Sequence, residues 1–578
     1  MLSKKLAALL MPLAIVTLIG GYAAIGSAAI PPAAPSLIGI LQSELNREFT
    51  GLKAKGDPAP YYMAYEVFDE ETDTAGASLG ALLNQNHNHL RAVNTTIRVG
   101  SPVFDNYHPL NGRQATGTLT SLLSLDNDPG QMRRALWSQS AHVYKLAAQR
   151  LLQLKTDQQL LVDPKDAVPD FSPEPSETYA QLPEQYRYDM AHWTQNLRAW
   201  SSVFNAHPGI IDSSVQFRAA REIRTFVNTE GTAVQLGSNL FRLEVVASAL
   251  APDGMPLQLF STMEASDPAH LPAPAAIEKR VNGVATQMDA LLKAPPAEPI
   301  VAPAILSGRA SAVFFHEIFG HRIEGHRQKD ESEGQTFTKM IGQKVLPDFV
   351  SVSFDPTRHN YDGKELIGYY PYDDEGVKAR PVTVVDHGIL KTFLLSRSPV
   401  KGFAHSNGHG RRQPGYEVVS RQSNLIVESS KQVSDAELRQ QLIAEVKRQN
   451  KPYGLYFEEV SSGYTTTSRA GLQAFTVVPL IVYRVYPDGR PDELIRGVDI
   501  VGTPLASFQK ILATSNRVEV FNGYCGAESG SIPVSAISPA ILVSEIEVQR
   551  KPNSQQRLPI LPRPELAQGP KTAQGKVQ

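Results

Sequence analysis

The stretch from Ala310 to His321, Ala-Ser-Ala-Val-Phe-Phe-His-Glu-Ile-Phe-Gly-His, constrains the fold more than any other part of the chain. Ala310, Val313, Phe314 and Ile318 fall on one helical stripe, and Glu317 lies within it. Burying a carboxylate there raises its pKa unless a cation or a metal compensates. The segment therefore reads as a core helix whose acid has a purpose. His316 precedes that acid, and His321 follows it by four residues. Five residues turn about 500° on a regular α-helix, which leaves the two imidazoles about 140° apart. They converge only if the helix widens or breaks, and Gly320, just before His321, permits either. The other reading of the pair is two polar residues at a helix end, where His complements the dipole. His326, five residues on, sits in a segment that reads as a solvated turn.

The chain has one cysteine, Cys525, in Asn-Gly-Tyr-Cys-Gly. Its N-terminus explains why that matters. Lys4 and Lys5 precede an uncharged stretch from Leu6 to Ile30 that closes on small residues, the pattern of a secretory signal cleaved after Ala28 or Ala29. The alternative is an uncleaved anchor long enough to cross a bilayer, although Gly20, Gly21 and Gly26 weaken a spanning helix. An exported protein with a single cysteine has no internal disulfide. Cys525 is then a buried thiol, a nucleophile or a metal ligand, and its glycine neighbours predict a tight, exposed turn. A catalytic zinc site wants three protein ligands and one open position. His316 and His321 supply two; the third is a distant His or acid, or Cys525. A cysteine nucleophile leaves Glu317 unexplained, whereas the metal reading uses all four residues.

Composition bounds the rest. At 42% hydrophobic and 20% charged residues the chain reads as a soluble globular protein. Its 56 Lys and Arg against 58 Asp and Glu give no field that recruits nucleic acid or an anionic membrane. A length of 578 residues implies two or three domains. Apolar spacing predicts helices over 38–54, 130–155 and 275–292, and alternation predicts strands over 60–66, 91–99 and within 214–250. Pro-rich stretches at 168–176 and 294–303 mark joints. After residue 303 one helical segment leads into strands over 345–354, 382–386, 390–395, 476–486 and 540–548. The fold class is α+β: a mixed N-terminal region followed by a β-rich C-terminal domain carrying the helix with the two histidines. The expected divisions are a signal at 1–29, an α+β domain at 36–213, a β and helix segment at 214–300, the site domain at 301–550 and a disordered Pro-rich tail at 551–578.

Residues Phe315 to Gly325 resemble the HExxxH segment of the TldD/PmbA family of metallopeptidases, in its catalytic TldD branch. Further matches follow in that family's order. Asp373-Asp374-Glu375-Gly376 resembles its acidic turn, Gly388 to Lys391 its G-I-L-K hairpin, Asn407 to Arg412 its G-x-G-R-R loop, and Tyr524 to Val534 its C-terminal cysteine segment. The resemblance spans roughly 300–548. It implies that His316, His321 and Cys525 bind one zinc and that Glu317 is the catalytic carboxylate. It implies hydrolysis of peptides or unfolded chains, and assembly as a homodimer or with an inactive PmbA-like subunit. Asp374, Glu375, Gly408, His409, Arg411 and Arg412 are its weaker candidates for substrate contacts. The chain departs from the family in its export signal, in His326 where Asp is common and in Ala527 where Lys is usual. Three classes of function follow: an exported, periplasmic zinc peptidase without a stable membrane anchor, a catalytically silent partner of the same fold, and a thiol hydrolase using Cys525.

Overall fold

The computed structural model describes residues 36–109, 119–158, 168–330, 332–469, 475–502 and 507–551. The expected signal at 1–29 and nearly all of the expected tail lie outside them. No described helix is long and apolar enough to cross a membrane.

Two sheets organise the chain. In the first, β1 (Pro60–Ser78) and β2 (Ala81–Ser101) form a long antiparallel hairpin, and β1 pairs on its other side with β3 (Ile210–Asn228). The strands β4 (Ala233–Leu250) and β5 (Pro256–Ala265) continue the sheet, and three short strands complete its eight. Alternation fixes which side is buried. Met63, Tyr65 and Val67 of β1 and Val93, Ile97 and Val99 of β2 point to one face, under α1 (Leu37–Lys55) and α2 (Pro129–Gln158). Phe217, Leu243 and Val245 continue that face under α3 (Met190–Ser201) and α4 (Pro274–Lys293). The opposite face carries charge, and two of its residues reach the C-terminal half: Glu66 pairs with Arg412, and Arg224 with Asp374.

The break expected at residue 214 falls inside β3. Residues 36–213 and 214–300 share this one sheet, because β3 returns alongside β1 over a long register. The Pro-rich stretch at 168–176 does not separate them. Phe171 is buried, and the Ser172 carbonyl accepts from the wholly buried Arg397 at 3.0 and 2.6 Å, so the stretch lies against the C-terminal half.

The second sheet has twelve strands. β6 (Ile300–Leu306) pairs with both Gly454–Thr465 and Gly530–Arg550, which closes part of the sheet into a ring. Inside its curve lies α5 (Gly308–Ile318), capped by Ser307, whose Oγ accepts from the Ala310 N–H at 3.1 Å. Every residue of α5 except Arg309 is buried. A helix apolar on nearly all sides belongs in a core, and Phe314, Phe315 and Ile318 join that core. Of the strands expected here, 390–395 shrinks to Ile389–Leu390. The apolar run that follows is a buried loop pinned by its backbone, the Leu394 N–H donating to Ile323 O at 2.9 Å.

Candidate metal centre

The two histidines meet because α5 stops between them. It ends at Ile318, and Gly320–Ile323 form a 3-10 turn. The helix breaks by tightening, where sequence reasoning also allowed a widened turn. Two side chains satisfy three of its C-terminal carbonyls. Arg322 donates to Glu317 O at 3.3 Å and to Ile318 O at 3.1 Å, and Gln422 Nε2 donates to His316 O at 3.2 Å. Gly320 is required by close approach: a Cβ there would stand 2.0 Å from Gln422 Oε1.

Cys525 arrives on the other wall. It lies within the strand β7 (Ile511–Ala527), opposite Ile532 of β8 (Gly530–Arg550), just before the two-residue turn that joins them. The tight turn expected around it is thus a strand end, in which Cys525 is buried between the exposed Tyr524 and Gly526. His316 Nε2 stands 3.2 Å from Cys525 Sγ, and His321 Nε2 3.4 Å from the same sulfur. The imidazole planes cross at 83° with centroids 5.1 Å apart. One donor atom from each residue lies within 4.8 Å of the other two. Glu317 is buried beside them, its Oε2 3.9 Å from His321 Nε2.

Electrostatics accompanies geometry. Burial alone pushes the Cys525 thiol up, yet His321 and His316 hold it well below its usual range. Burial opposes a charged His321, but Cys525 and Glu324 raise its pKa well above the ordinary value. Burial pushes Glu317 up, partly offset by the two imidazoles. A carboxyl with raised pKa beside two nitrogen donors and a thiolate is suited to accepting and returning a proton.

Glu324 orders the cluster. It is fully buried, and its Oε2 lies 3.3 Å from His321 Nδ1, which turns Nε2 of that ring toward the sulfur. Burial would raise this carboxyl, but His321 and Arg327 bring it down to about 2. Its other oxygen faces Arg421 at 3.6 Å, and Arg421 donates to Cys525 O at 2.6 Å, Ser529 Oγ at 2.6 Å and Gly530 O at 3.1 Å. One ion pair thereby joins the segments that present His321 and Cys525. Glu324 was visible in the sequence only as an acid three residues after His321; Arg421 and Gln422 gave no signal.

The donor set fits zinc: two imidazole nitrogens and a thiolate sulfur on one side, with Glu317 at the rim. A second group, Glu324, His326 and Glu528, is also close together. There the Arg327 guanidinium donates to Glu324 at 2.9 Å, Glu528 at 2.8 Å and Glu333 at 2.8 Å, so a cation is already built in. His326, expected in a solvated turn, is buried and bonded to Glu528.

Of the weaker candidates, Asp374 and Arg412 join the two sheets, and Glu375, Gly408 and Arg411 bond within the C-terminal half. Asp374 accepts from the Arg412 N–H at 2.6 Å and pairs with Arg224. Glu375 accepts from the Arg397 N–H at 2.6 Å. Gly408 O accepts from Tyr370 Oη at 3.0 Å, and His409 is wholly buried, its pKa lowered by that burial to about 3. Arg411 donates to Gln422 O at 3.0 Å and Pro533 O at 2.8 Å, and Arg412 Nε donates to Glu66 at 2.8 Å. The guanidinium groups of Arg411 and Arg412, candidates for substrate contacts, already meet protein acceptors.

Comparison with known proteins bears on the same region. Residues 300–550 match the PmbA/TldA metallopeptidase C-terminal domain. A metalloprotease of Archaeoglobus fulgidus is 28% identical over 239 residues, 41% of this chain and 51% of that protein. A metalloprotease TldD homolog of Haemophilus influenzae is 26% identical over 250 residues, 43% of this chain and 48% of that protein. The chain thus spans about half the length of these relatives. The crystal structure of TldE from Thermococcus kodakarensis superposes with a TM-score of 0.56 at 13% identity, covering 87% of this chain and 100% of that one. This likeness establishes the fold.

Proposed function

We propose that this chain is an exported, zinc-dependent peptidase of the TldD type that hydrolyses peptides or unfolded polypeptides. The observation that carries the reading is the convergence of His316 and His321 with Cys525, 204 residues beyond His321, on one buried point beside Glu317. His316 Nε2, His321 Nε2 and Cys525 Sγ would hold the metal. Bound there, zinc supplies a lowered water pKa and polarisation of the scissile carbonyl. Glu317 takes the proton of the attacking water and returns it to the leaving amine, and burial keeps its proton affinity high enough for both transfers. Glu324 holds His321 in the tautomer that presents Nε2. The charged n-region and apolar stretch at the N-terminus support export, with the periplasm as the address, and the resemblance of the sequence motifs supports assembly as a homodimer or with a PmbA-like subunit.

Metal content of the purified protein, measured beside Cys525→Ser, tests the reading. About one zinc per chain is expected in the native protein, with a sharp drop in the variant. No zinc in either, after purification without chelators, returns the chain to the silent-partner class.

A further inference from the structure

Charge is balanced over the whole chain but not over α2. In Pro129–Gln158 the cations are Arg133, Arg134, Lys145, Arg150 and Lys155, and the one acid is Asp157, in the last turn. The helix packs Leu136, Val143 and Ala147 into the core under the first sheet. At 100° per residue, Arg134, Trp137, Ala141, Lys145, Leu152 and Lys155 share the outward face within about 80°, with Arg133 at its margin. All seven are exposed, Trp137 by 53% and Leu152 by 69%. Among the described residues Arg133, Arg134, Lys145 and Lys155 enter no ion pair. α1 packs beside α2 and adds no free acid to this face, because Glu44 and Glu48 are buried and held by Arg47. It ends on the exposed Lys53 and Lys55. Between the two helices runs a groove of about 500 Å³, lined by Ser43, Glu44, Arg47, Arg133, Arg134 and Trp137.

A helix face that only needs solubility mixes both signs of charge. This one sets a tryptophan and a leucine among unpaired cations, the combination by which a helix lies in a lipid interface. Trp137 and Leu152 stand fifteen residues apart, about 22 Å along the axis, with Lys145 between them. Such a long row matches an extended anionic plane better than a single pocket on a partner. Tryptophan settles at the headgroup level of a bilayer, and each cation near an anionic leaflet strengthens attachment. We infer that the outward face of α2, with the groove it forms against α1, docks on the surface of a bilayer containing anionic phospholipid. The guanidinium and ammonium groups meet lipid phosphates, and Trp137 and Leu152 enter the headgroup layer. The attachment is peripheral and reversible, and it involves neither the metal ligands nor Glu317, so its failure would leave the peptidase reading untouched.

Co-sedimentation with lipid vesicles tests this. The protein used is the exported form starting at Ile30, which keeps every described residue and leaves the apolar stretch out of the measurement. It should bind vesicles of phosphatidylcholine mixed with phosphatidylglycerol at least about tenfold more tightly than phosphatidylcholine alone, and high salt should weaken the binding. Replacing Arg133→Gln, Arg134→Gln and Lys145→Gln together should weaken it about 100-fold, at about fivefold per cation, with unchanged circular dichroism. Trp200 is buried and Trp193 stacks on Phe217, so a shift of tryptophan emission to shorter wavelength on binding should come from Trp137 and vanish in Trp137→Phe. No binding to the mixed vesicles, equal binding to both vesicles, native binding by the triple variant, or a shift that survives Trp137→Phe would each overturn the inference. Binding to polyglutamate in place of vesicles would also overturn it and assign the face to an acidic protein.

Discussion

Glu324 Oε2 lies 3.3 Å from His321 Nδ1, on the side of the imidazole away from Cys525. The carboxylate serves two masters, because Arg421 and Arg327 also face it. Its charge both orients His321 and neutralises two buried guanidinium groups. Glu324→Gln keeps the shape and removes the charge. The expected result is a loss of zinc affinity of about 10- to 100-fold, the range seen for carboxylates that orient metal-bound histidines. Competition with a chromophoric chelator measures it, and circular dichroism checks that the fold persists. Unchanged affinity would show that the backbone alone sets the His321 ring.

Glu317 is predicted to separate binding from turnover. It contacts the cluster only at its edge, 3.9 Å from His321 Nε2. Glu317→Gln should retain the native zinc content while peptide hydrolysis falls by about 10²- to 10⁴-fold, the usual worth of a positioned acid-base group. Loss of metal together with activity would make Glu317 a ligand and not a proton carrier.

Much of this site was legible in the sequence, for reasons that differ by residue. An acid in an apolar helical stripe marks Glu317, and a lone cysteine in a chain whose N-terminus reads as an export signal draws attention to Cys525. Gly320 marked the place where the helix fails. The sequence did not show what makes it fail, since Gln422, a hundred residues away in the chain, occupies the space a Cβ would need. Cys525 was expected on an exposed turn because glycines flank it. In the structure Gly523 admits the ring of Phe521, whose Cε1 would lie 2.7 Å from an added Cβ, and the strand continues past the cysteine. The joint at residue 214 was misplaced because local periodicity reports strands and not their partners: β3 pairs with β1 across about 150 residues of chain, and only the pairing shows that both belong to one sheet.

Gly320→Ala tests the break directly. The added methyl would collide with the Gln422 amide, which itself holds His316 O. Overpacking of this kind costs about 1–3 kcal/mol, read as a lower midpoint in chemical denaturation. Because Gln422 also fixes the end of α5, zinc affinity should fall with stability. Adding Gln422→Ala to Gly320→Ala should recover part of the stability by removing the clash, while zinc affinity stays low. If Gly320→Ala alone is as stable as the native protein, the tight approach is not a constraint on the turn.

The acidic turn at Asp373 and Glu375 predicts a pH dependence of stability separate from the metal. Burial, reinforced by the neighbouring Glu375, pushes Asp373 up to about 8, and burial likewise raises Glu375. In the unfolded chain both ionise in the ordinary carboxylate range. The folded state therefore binds more protons, and its stability is fully present below that range and declines as pH rises through it toward 8. Glu375→Gln removes the like charge while its amide oxygen can still accept from the Arg397 N–H, the bond made by Glu375 at 2.6 Å. Denaturation of the metal-free protein at pH 5, 7 and 9 should show native stability falling across the series and a flatter profile for Glu375→Gln. Parallel profiles would mean that the pair ionises normally inside the joint, with Arg397 and the backbone N–H groups from Glu375, Val377 and Gly410 supplying enough compensation to hold two buried charges.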